Sequence, residues 1–445
     1  MNQNVISYDP SNGEILGEVQ RATVAEIQEV VGNAKEAAKH WRKYSLEDRL
    51  GCIEKAYSAA EPSLNRLAEL LSREMGKDIR RSTSEAQGSI WGGPYIAKSS
   101  LEALRSINAG GSTVEYVPLG VAAIISPWNY PLAMANNLII PALMAGNSVI
   151  WKPSEETPLI AQAFFDIIHK GFPRDVVQII HGDGEQGKIL VESDINIIGF
   201  TGSQAAGKDI MARASSSLKR LVMELGGNDP MIVMKDANIQ AAAHFAVASS
   251  FENAGQMCIS TERIYVDESI APEFEKYVVA TAKQYKVGPW DMEGVNIGPI
   301  INSKQHSRII EHIRDALEKN ARLLLGSSDN PERYLKPTVL ADMTPHMRIE
   351  QEETFGPVVC ISCFADVEEA IVRANNSNYG LGAVVFGGVD AREVAQQLEA
   401  GMIGINQGVG GGGNVPWVGA KQSGFGFHGS PEGHRQFSQV RVISR

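Results

Sequence analysis

Several stretches of this 445-residue chain hold side chains able to do chemistry. Cys258 lies in the loop-like segment Asn253-Ala-Gly-Gln-Met-Cys-Ile-Ser. A thiol beside a helix N-terminus can have a lowered pKa and act as a nucleophile, although a lone cysteine is more often inert packing. Glu224-Leu-Gly-Gly227 follows an apolar strand, where a carboxylate can serve as a general base or simply be a solvated loop acid. Phe200-Thr201-Gly202-Ser203, with Gly207 further on, joins a buried strand to a helix start. Unpaired N–H groups and the helix dipole favour an anion there, and a plain helix cap is an equal reading. Gly182-x-Gly184-x-x-Gly187 spells a dinucleotide fingerprint. Where the ribose-binding acid should follow, about 20 residues on, stands Phe200–Ser203, so the glycines read as an ordinary turn. Cys360-x-x-Cys363 lies within the apolar strand Val358–Phe364, without a second pair or a His-Glu-x-x-His, and predicts no metal site. There is no Gly-x-Ser-x-Gly elbow for a serine hydrolase.

The elements that must position these residues follow from periodicity. Thr23/Glu26 and Ser45/Asp48 have the spacing of capping boxes, each before an apolar helical face. A third such face, Leu67 to Met75, stops at Gly76. From Gly120 the rhythm changes to short apolar strands at Val121–Ile125, Ser148–Trp151, Val176–Ile180, Asn196–Phe200, Leu221–Met223 and Met231–Met234. Helical stretches separate the first four. This alternation predicts βαβ units in a doubly wound, mostly parallel sheet, with ligands at the strands' carboxyl ends. A second α/β stretch runs from about Asn238 to Val415, with strands at Arg263–Val266, Val358–Phe364 and Ala383–Phe386. Ser112–Val117 reads as extended, and Gln439–Ile443 as an edge strand.

Charge gives 41 − 52 = −11, which offers no basic footprint for nucleic acid or anionic lipid. Four cysteines are too few for a disulfide framework in a chain this long and point to a reducing compartment. No signal peptide is expected from residues 1–10. The most apolar run, Pro131–Gly146, contains Asn136, Asn137 and Pro141 and falls short of a membrane span. A cytoplasmic protein is expected.

Seven segments, in order along roughly residues 10–440, resemble the aldehyde dehydrogenase superfamily: Pro127-Trp-Asn-Tyr-Pro131, Trp151-Lys-Pro-Ser-Glu155, Phe200–Ser203, Glu224–Gly227, Asn253-x-Gly-Gln-x-Cys258, Glu353-Thr-Phe-Gly-Pro357 and Gly419-Ala-Lys-Gln-Ser-Gly424. The resemblance implies that Cys258 attacks an aldehyde, with the oxyanion held by Asn129 and the Cys258 N–H. A thioester then forms and is hydrolysed by water that Glu224 activates. It also implies a nicotinamide dinucleotide bound by Ser126, Trp128, Lys152, Ser154, Glu155, Gly202, Ser203, Gly207, Glu353 and Phe355. Glu155 can accept from a ribose 2′-OH and should repel a 2′-phosphate, which favours NAD, while Lys152 leaves NADP open. The implied fold is a Rossmann-like cofactor domain (1–103 and 119–225), an α/β catalytic domain (226–412) and a small β oligomerisation element (104–118 and 425–445). A homodimer or homotetramer is expected.

Three departures qualify the resemblance. Gly426-Phe-His428 stands where many members have Gly-Arg-Glu, so either His428 substitutes for that glutamate or the water is positioned otherwise. Asn137, beside Asn136, stands where succinate-semialdehyde enzymes commonly carry an arginine. The N-terminus is shorter than in many relatives. The substrate entrance is expected around Asn136–Asn137, the loop beside Cys258 and the stretch Gly408–Val415. Two rivals stay open at this level: a CoA-acylating relative, against which Glu224 argues, and a non-catalytic descendant, against which the retained Cys258, Glu224 and Asn129 argue.

Overall fold

The strand Val121–Ile125 is apolar at every position and buried at every position, as a strand covered on both faces must be. In the computed structural model, which describes residues 3–330, 333–410 and 414–444, it is central to a six-stranded sheet. Across that sheet the order is Val177–Ile179, Ser148–Lys152, Val121–Ile125, Ile197–Thr201, Arg220–Glu224 and Gly424–Phe425. The first five are parallel and the last is antiparallel. Strand order therefore reverses between Val121–Ile125 and Ile197–Thr201, and sheets of this kind take ligands in the crevice outside the strand ends at that reversal. The two-residue period divides the core accordingly. Ala122, Ile124, Val149 and Trp151 join one apolar cluster, and Val121, Ala123, Ile125 and Ile150 another.

A second sheet runs Arg322–Leu325, Thr338–Ala341, Val358–Phe364, Thr261–Asp267, Asp229–Val233, Gly382–Phe386 and Met402–Ile405, all parallel except the first. A third, antiparallel sheet pairs Ser438–Ser444 with Ser112–Pro118 along their full length, and Ile107–Ala109 with the latter's first half. The architecture is thus mixed α/β with two parallel-sheet layers, as the alternation of elements predicts.

Both expected capping boxes are formed, at Thr23/Glu26 ahead of Val24–Trp41 and at Ser45/Asp48 ahead of Leu46–Ser58. The helix Leu64–Met75 ends on Gly76, whose φ of +87° suits glycine. Asp183 caps the helix Gly184–Glu192 through a capping box with Gln186, which explains the glycine-rich turn there. Sequence periodicity gives no counterpart for the 25-residue helix Ile79–Ala103, nor for the hairpin Asn4–Tyr8/Ile15–Gln20. Cys360 is buried and Cys363 exposed three residues along one strand, so their side chains leave opposite faces. Among the described residues, no helix is long and apolar enough to cross a membrane.

Candidate active site

Glu224 is the last residue of its strand, flanked by Thr201 on one side and Gly424 on the other. Its carbonyl accepts the Gly202 N–H at 3.0 Å, which ties the strand end to the loop at the sheet's reversal point. The glycines that follow allow close approach. A Cβ on Gly226 would lie 2.6 Å from the Glu353 carboxylate, and one on Gly227 would lie 2.3 Å from the Cys258 carbonyl oxygen. The Gly227 N–H donates to Glu353 Oε1 at 3.0 Å. The Glu-Leu-Gly-Gly segment is therefore where the cysteine loop and Glu353 close onto the first sheet.

Cys258 occupies a turn between a 3-10 segment, Glu252–Gly255, and the strand Thr261–Asp267. The chain enters that turn through three positive-φ residues, Asn253 (+52°), Ala254 (+58°) and Gly255 (+72°). A Cβ on Gly255 would sit 2.0 Å from the Gly356 carbonyl oxygen, so only glycine fits there. The thiol does not cap a helix, and its pKa is not lowered as a helix N-terminus would make it. Burial pushes the thiol up, and the carboxylates of Glu224, Asp229 and Glu353 add to the rise.

Asn129 lies against this turn. Its Nδ2 donates to the Gln256 carbonyl at 3.0 Å, and its own carbonyl accepts from Lys77 Nζ at 2.7 Å. Lys77 is fully buried and pairs with Glu85 at 2.6 Å, while Glu85 also accepts the N–H groups of Leu132 and Ala133 ahead of the helix Ala133–Met144. A buried lysine, a buried glutamate and a helix start thus fix the Asn129 backbone, a support the sequence motifs do not disclose.

A cavity of ≈ 330 Å³ opens at the strand reversal. Of the expected residues, Trp128, Asn129, Gly202, Ser203, Cys258, Glu353 and Phe355 line it together. Ser203 is the N-cap of the helix Gln204–Ala214, with its Oγ accepting from Ala206 N–H. Trp128 and Phe355 meet edge to face, with centroids 5.5 Å apart. Burial raises the Glu353 carboxyl to about 7.

The other expected residues lie around or behind the cavity. Gly207 lets its helix approach closely, since a Cβ there would meet Leu225 at 2.6 Å. The Ser126 hydroxyl is buried and accepts from Trp151 Nε1 at 2.8 Å. Lys152 Nζ donates to the Pro153 carbonyl and lies 4.0 Å from Glu155 Oε2. Ser154 Oγ accepts from the Glu156 N–H. Glu155 is exposed and borders a separate groove with Asn302 and Arg333. Asn136 donates to the Ser89 carbonyl and accepts from Tyr57 Oη at 2.7 Å, so it is a buried structural amide and not part of an entrance. Within the stretch Gly408–Val415, residues 411–413 lie outside the described residues.

Sequence reasoning missed several lining residues, namely Met134, Gln305, Arg308 and Trp417. Gln305 and Arg308 sit near the start of the amphipathic helix Ser303–Glu318, and nothing in its apolar period marks them out. His428 makes the closest approach to Glu224, its Nε2 in ion-pair contact with Glu224 Oε1.

The chain matches the profile of the Aldehyde dehydrogenase family over residues 2–443. It belongs to that family. A probable succinate-semialdehyde dehydrogenase [NADP(+)] from Sinorhizobium fredii is 34% identical, over 98% of this chain and 91% of its own length. The mitochondrial succinate-semialdehyde dehydrogenase of Rattus norvegicus is 35% identical, over 98% of this chain and 86% of its own. A solved structure of a variant of aldehyde dehydrogenase C from Pseudomonas syringae, in complex with NAD+ and octanal, superposes with a TM-score of 0.95. It is 30% identical, and the match covers 99% of this chain and 93% of the other. This aldehyde dehydrogenase is an NAD(P)-dependent oxidoreductase that converts an aldehyde to its carboxylic acid, which removes the non-catalytic rival.

Proposed function

We propose that this aldehyde dehydrogenase works through covalent catalysis at Cys258, with Glu224 as the base for hydrolysis. The observation that carries the reading is one cavity at the strand reversal lined by Cys258, Asn129, Ser203 and Glu353, with the Glu224 charge felt at the thiol. Sγ gives up its proton to solvent and bonds to the aldehyde carbon as the carbonyl π pair moves to oxygen, and the developing oxyanion takes donors from Asn129 Nδ2 and the Cys258 N–H. A bound nicotinamide supplies the hydride acceptor. Loss of hydride leaves a thioester on Sγ, and Glu224 removes a proton from the water that cleaves it.

The cofactor fits the residues present. Thr201 Oγ1, Gln204 Nε2 and Arg308 Nε are buried polar atoms without a hydrogen-bond partner among the described residues, and all three lie at or beside this cavity. Glu353 and Ser203 would hold it at the cavity, with Lys152, Ser154 and Glu155 toward the ribose. We infer a preference for NAD from Glu155, whose carboxylate opposes a 2′-phosphate. Glu155→Ser is therefore expected to raise the ratio of kcat/KM for NADP over NAD by roughly tenfold, the size of one partly screened charge contact. An unchanged ratio in initial-rate measurements removes Glu155 from cofactor choice.

The substrate reading rests on the apolar part of the cavity lining. Tyr130, Met134, Met257, Ile259 and Trp417 are apolar or aromatic. Among the described residues the one cationic lining residue is Arg308, whose charge lowers the Glu353 carboxyl's affinity for a proton. We infer an uncharged, apolar aldehyde rather than a carboxylated semialdehyde. The experiment follows absorbance at 340 nm with NAD and NADP across aliphatic, aromatic, amino and carboxylated aldehydes, with and without CoA. CoA-independent turnover with the highest kcat/KM on apolar members is expected. A best substrate carrying a carboxylate overturns the substrate reading, and a requirement for CoA overturns the hydrolytic one.

We also propose that residues 1–103 and 119–225 form the cofactor domain and 226–412 the catalytic domain, with 104–118 and 425–445 as the oligomerisation element of a homodimer or homotetramer. Support for the last comes from the strand Ser438–Ser444, which exposes Val440, Val442 and Ile443 on a sheet edge. Four free cysteines suit a reducing compartment, and we place the enzyme in the cytoplasm.

A further inference from the structure

His428 is half of a two-residue strand, Phe427–His428, paired antiparallel with Trp417–Val418. Its side chain and that of Glu224 are 4% and 5% exposed. Glu224 Oε1 and His428 Nε2 are in ion-pair contact, off the line of a well-formed hydrogen bond, and neither atom has a hydrogen-bond partner among the described residues. A buried carboxylate oxygen with no donor is costly, so a proton on Nε2 is the group available to satisfy it. Three further features surround the His428 ring and its backbone. The Trp417 ring lies parallel to it, at 4° with centroids 6.5 Å apart, and itself lines the cavity. The short helix Pro431–Arg435 packs behind it: a Cβ on Gly433 would meet the His428 backbone at 2.8 Å. On that helix His434 stays neutral near neutral pH, its pKa held down at about 4 by burial and then by the charge of His428.

We propose that His428 is the positioning residue for Glu224: its Nε2–H donates to Oε1 and so aims Oε2 at the hydrolytic water. The proposal rests on reading Glu224 as the base of thioester hydrolysis. In that step the water oxygen bonds to the acyl carbon while one water proton passes to Oε2. The C–S bond breaks with its electron pair going to Sγ, and the proton on Oε2 passes to Sγ, restoring thiol and carboxylate. His428 exchanges no proton. It fixes one carboxylate oxygen so that the other is oriented for transfer, a geometric contribution that matters only after the thioester has formed.

Acid-quenched steady-state mixtures, analysed by intact mass, report the fraction of enzyme carrying an acyl group on Cys258. Wild type, His428→Ala, His428→Gln and Glu224→Gln are compared. His428→Ala is expected to accumulate the acyl-enzyme and to lose about tenfold or more in kcat, while its single-turnover NADH formation stays within about twofold. His428→Gln keeps an N–H donor and is expected to recover most of that loss. A purely structural role would lower single-turnover and steady-state rates together, without acyl-enzyme accumulation and without rescue by glutamine, and would overturn the proposal. So would an unchanged kcat in His428→Ala. If Glu224→Gln itself accumulates no acyl-enzyme, the assignment of Glu224 as base fails. If it does and His428→Ala does not, the His428 proposal alone fails.

Discussion

Cys258→Ala is expected to reduce aldehyde oxidation by about 10⁴-fold or more, the scale on which removal of a covalent nucleophile is felt. NAD(P) binding should survive with its Kd within about twofold, because little else depends on the Sγ atom. The turn is held by contacts that do not involve Sγ. Gln256 accepts from Asn129 and Asn253 and donates back to the Asn253 carbonyl, and its Oε1 takes the Ile301 N–H at 3.0 Å. Trp128 and Trp417 line the cavity, so quenching of tryptophan fluorescence follows binding directly. Retained oxidation in the alanine variant would rule out the thioester route. Loss of both oxidation and cofactor binding, with a lowered Tm, would mean that the turn had collapsed instead.

Most of this centre is legible in the sequence because its motifs sit at strand ends. Glu224, Gly202 and Ser203 follow apolar strands, whose positions are set by burial on both faces. What lies between motifs is less legible. The helix Ile79–Ala103 contains Gly88, Gly92, Gly93 and Pro94, all poor helix formers, and it forms because tertiary packing overrides propensity. A Cβ on Gly93 would strike the Tyr57 ring at 2.3 Å, so the glycine that weakens the helix is also what lets it pack. The same helix supplies Glu85, which holds Lys77 and through it the Asn129 carbonyl. No local pattern reports such a contact between residues 52 positions apart.

Expectations drawn from local chemistry also misplace Asn136 and leave the thiol's acidity open, for the same reason. Asn136 looks like an entrance residue on sequence position alone, yet the helix turns its amide toward Tyr57 and Ser89. The loop context of Cys258 leaves an activated thiol and inert packing both open. Its environment is decided first by burial and then by three carboxylates from elsewhere in the chain, Glu224, Asp229 and Glu353. Both causes act in one direction and disfavour the thiolate.

Those carboxylates make Glu224→Gln informative twice. In turnover, the variant is expected to form NADH once per active site and then slow by about 10²- to 10⁴-fold, because the acylation half-reaction does not use this base. Stopped-flow absorbance at 340 nm resolves the burst from the steady state. An unchanged steady state would remove Glu224 from hydrolysis, and loss of the burst as well would move its role back to acylation. In the protein without cofactor, Glu224 is one of the charges that raise the Cys258 thiol. A raised pKa means that alkylation by iodoacetamide grows as pH rises into the alkaline range, since only the thiolate reacts. Neutralising Glu224 removes part of that repulsion, so the rate profile for Cys258 should move to lower pH in the glutamine variant. A profile that did not move would separate the proposed role of Glu224 in hydrolysis from its effect on the thiol.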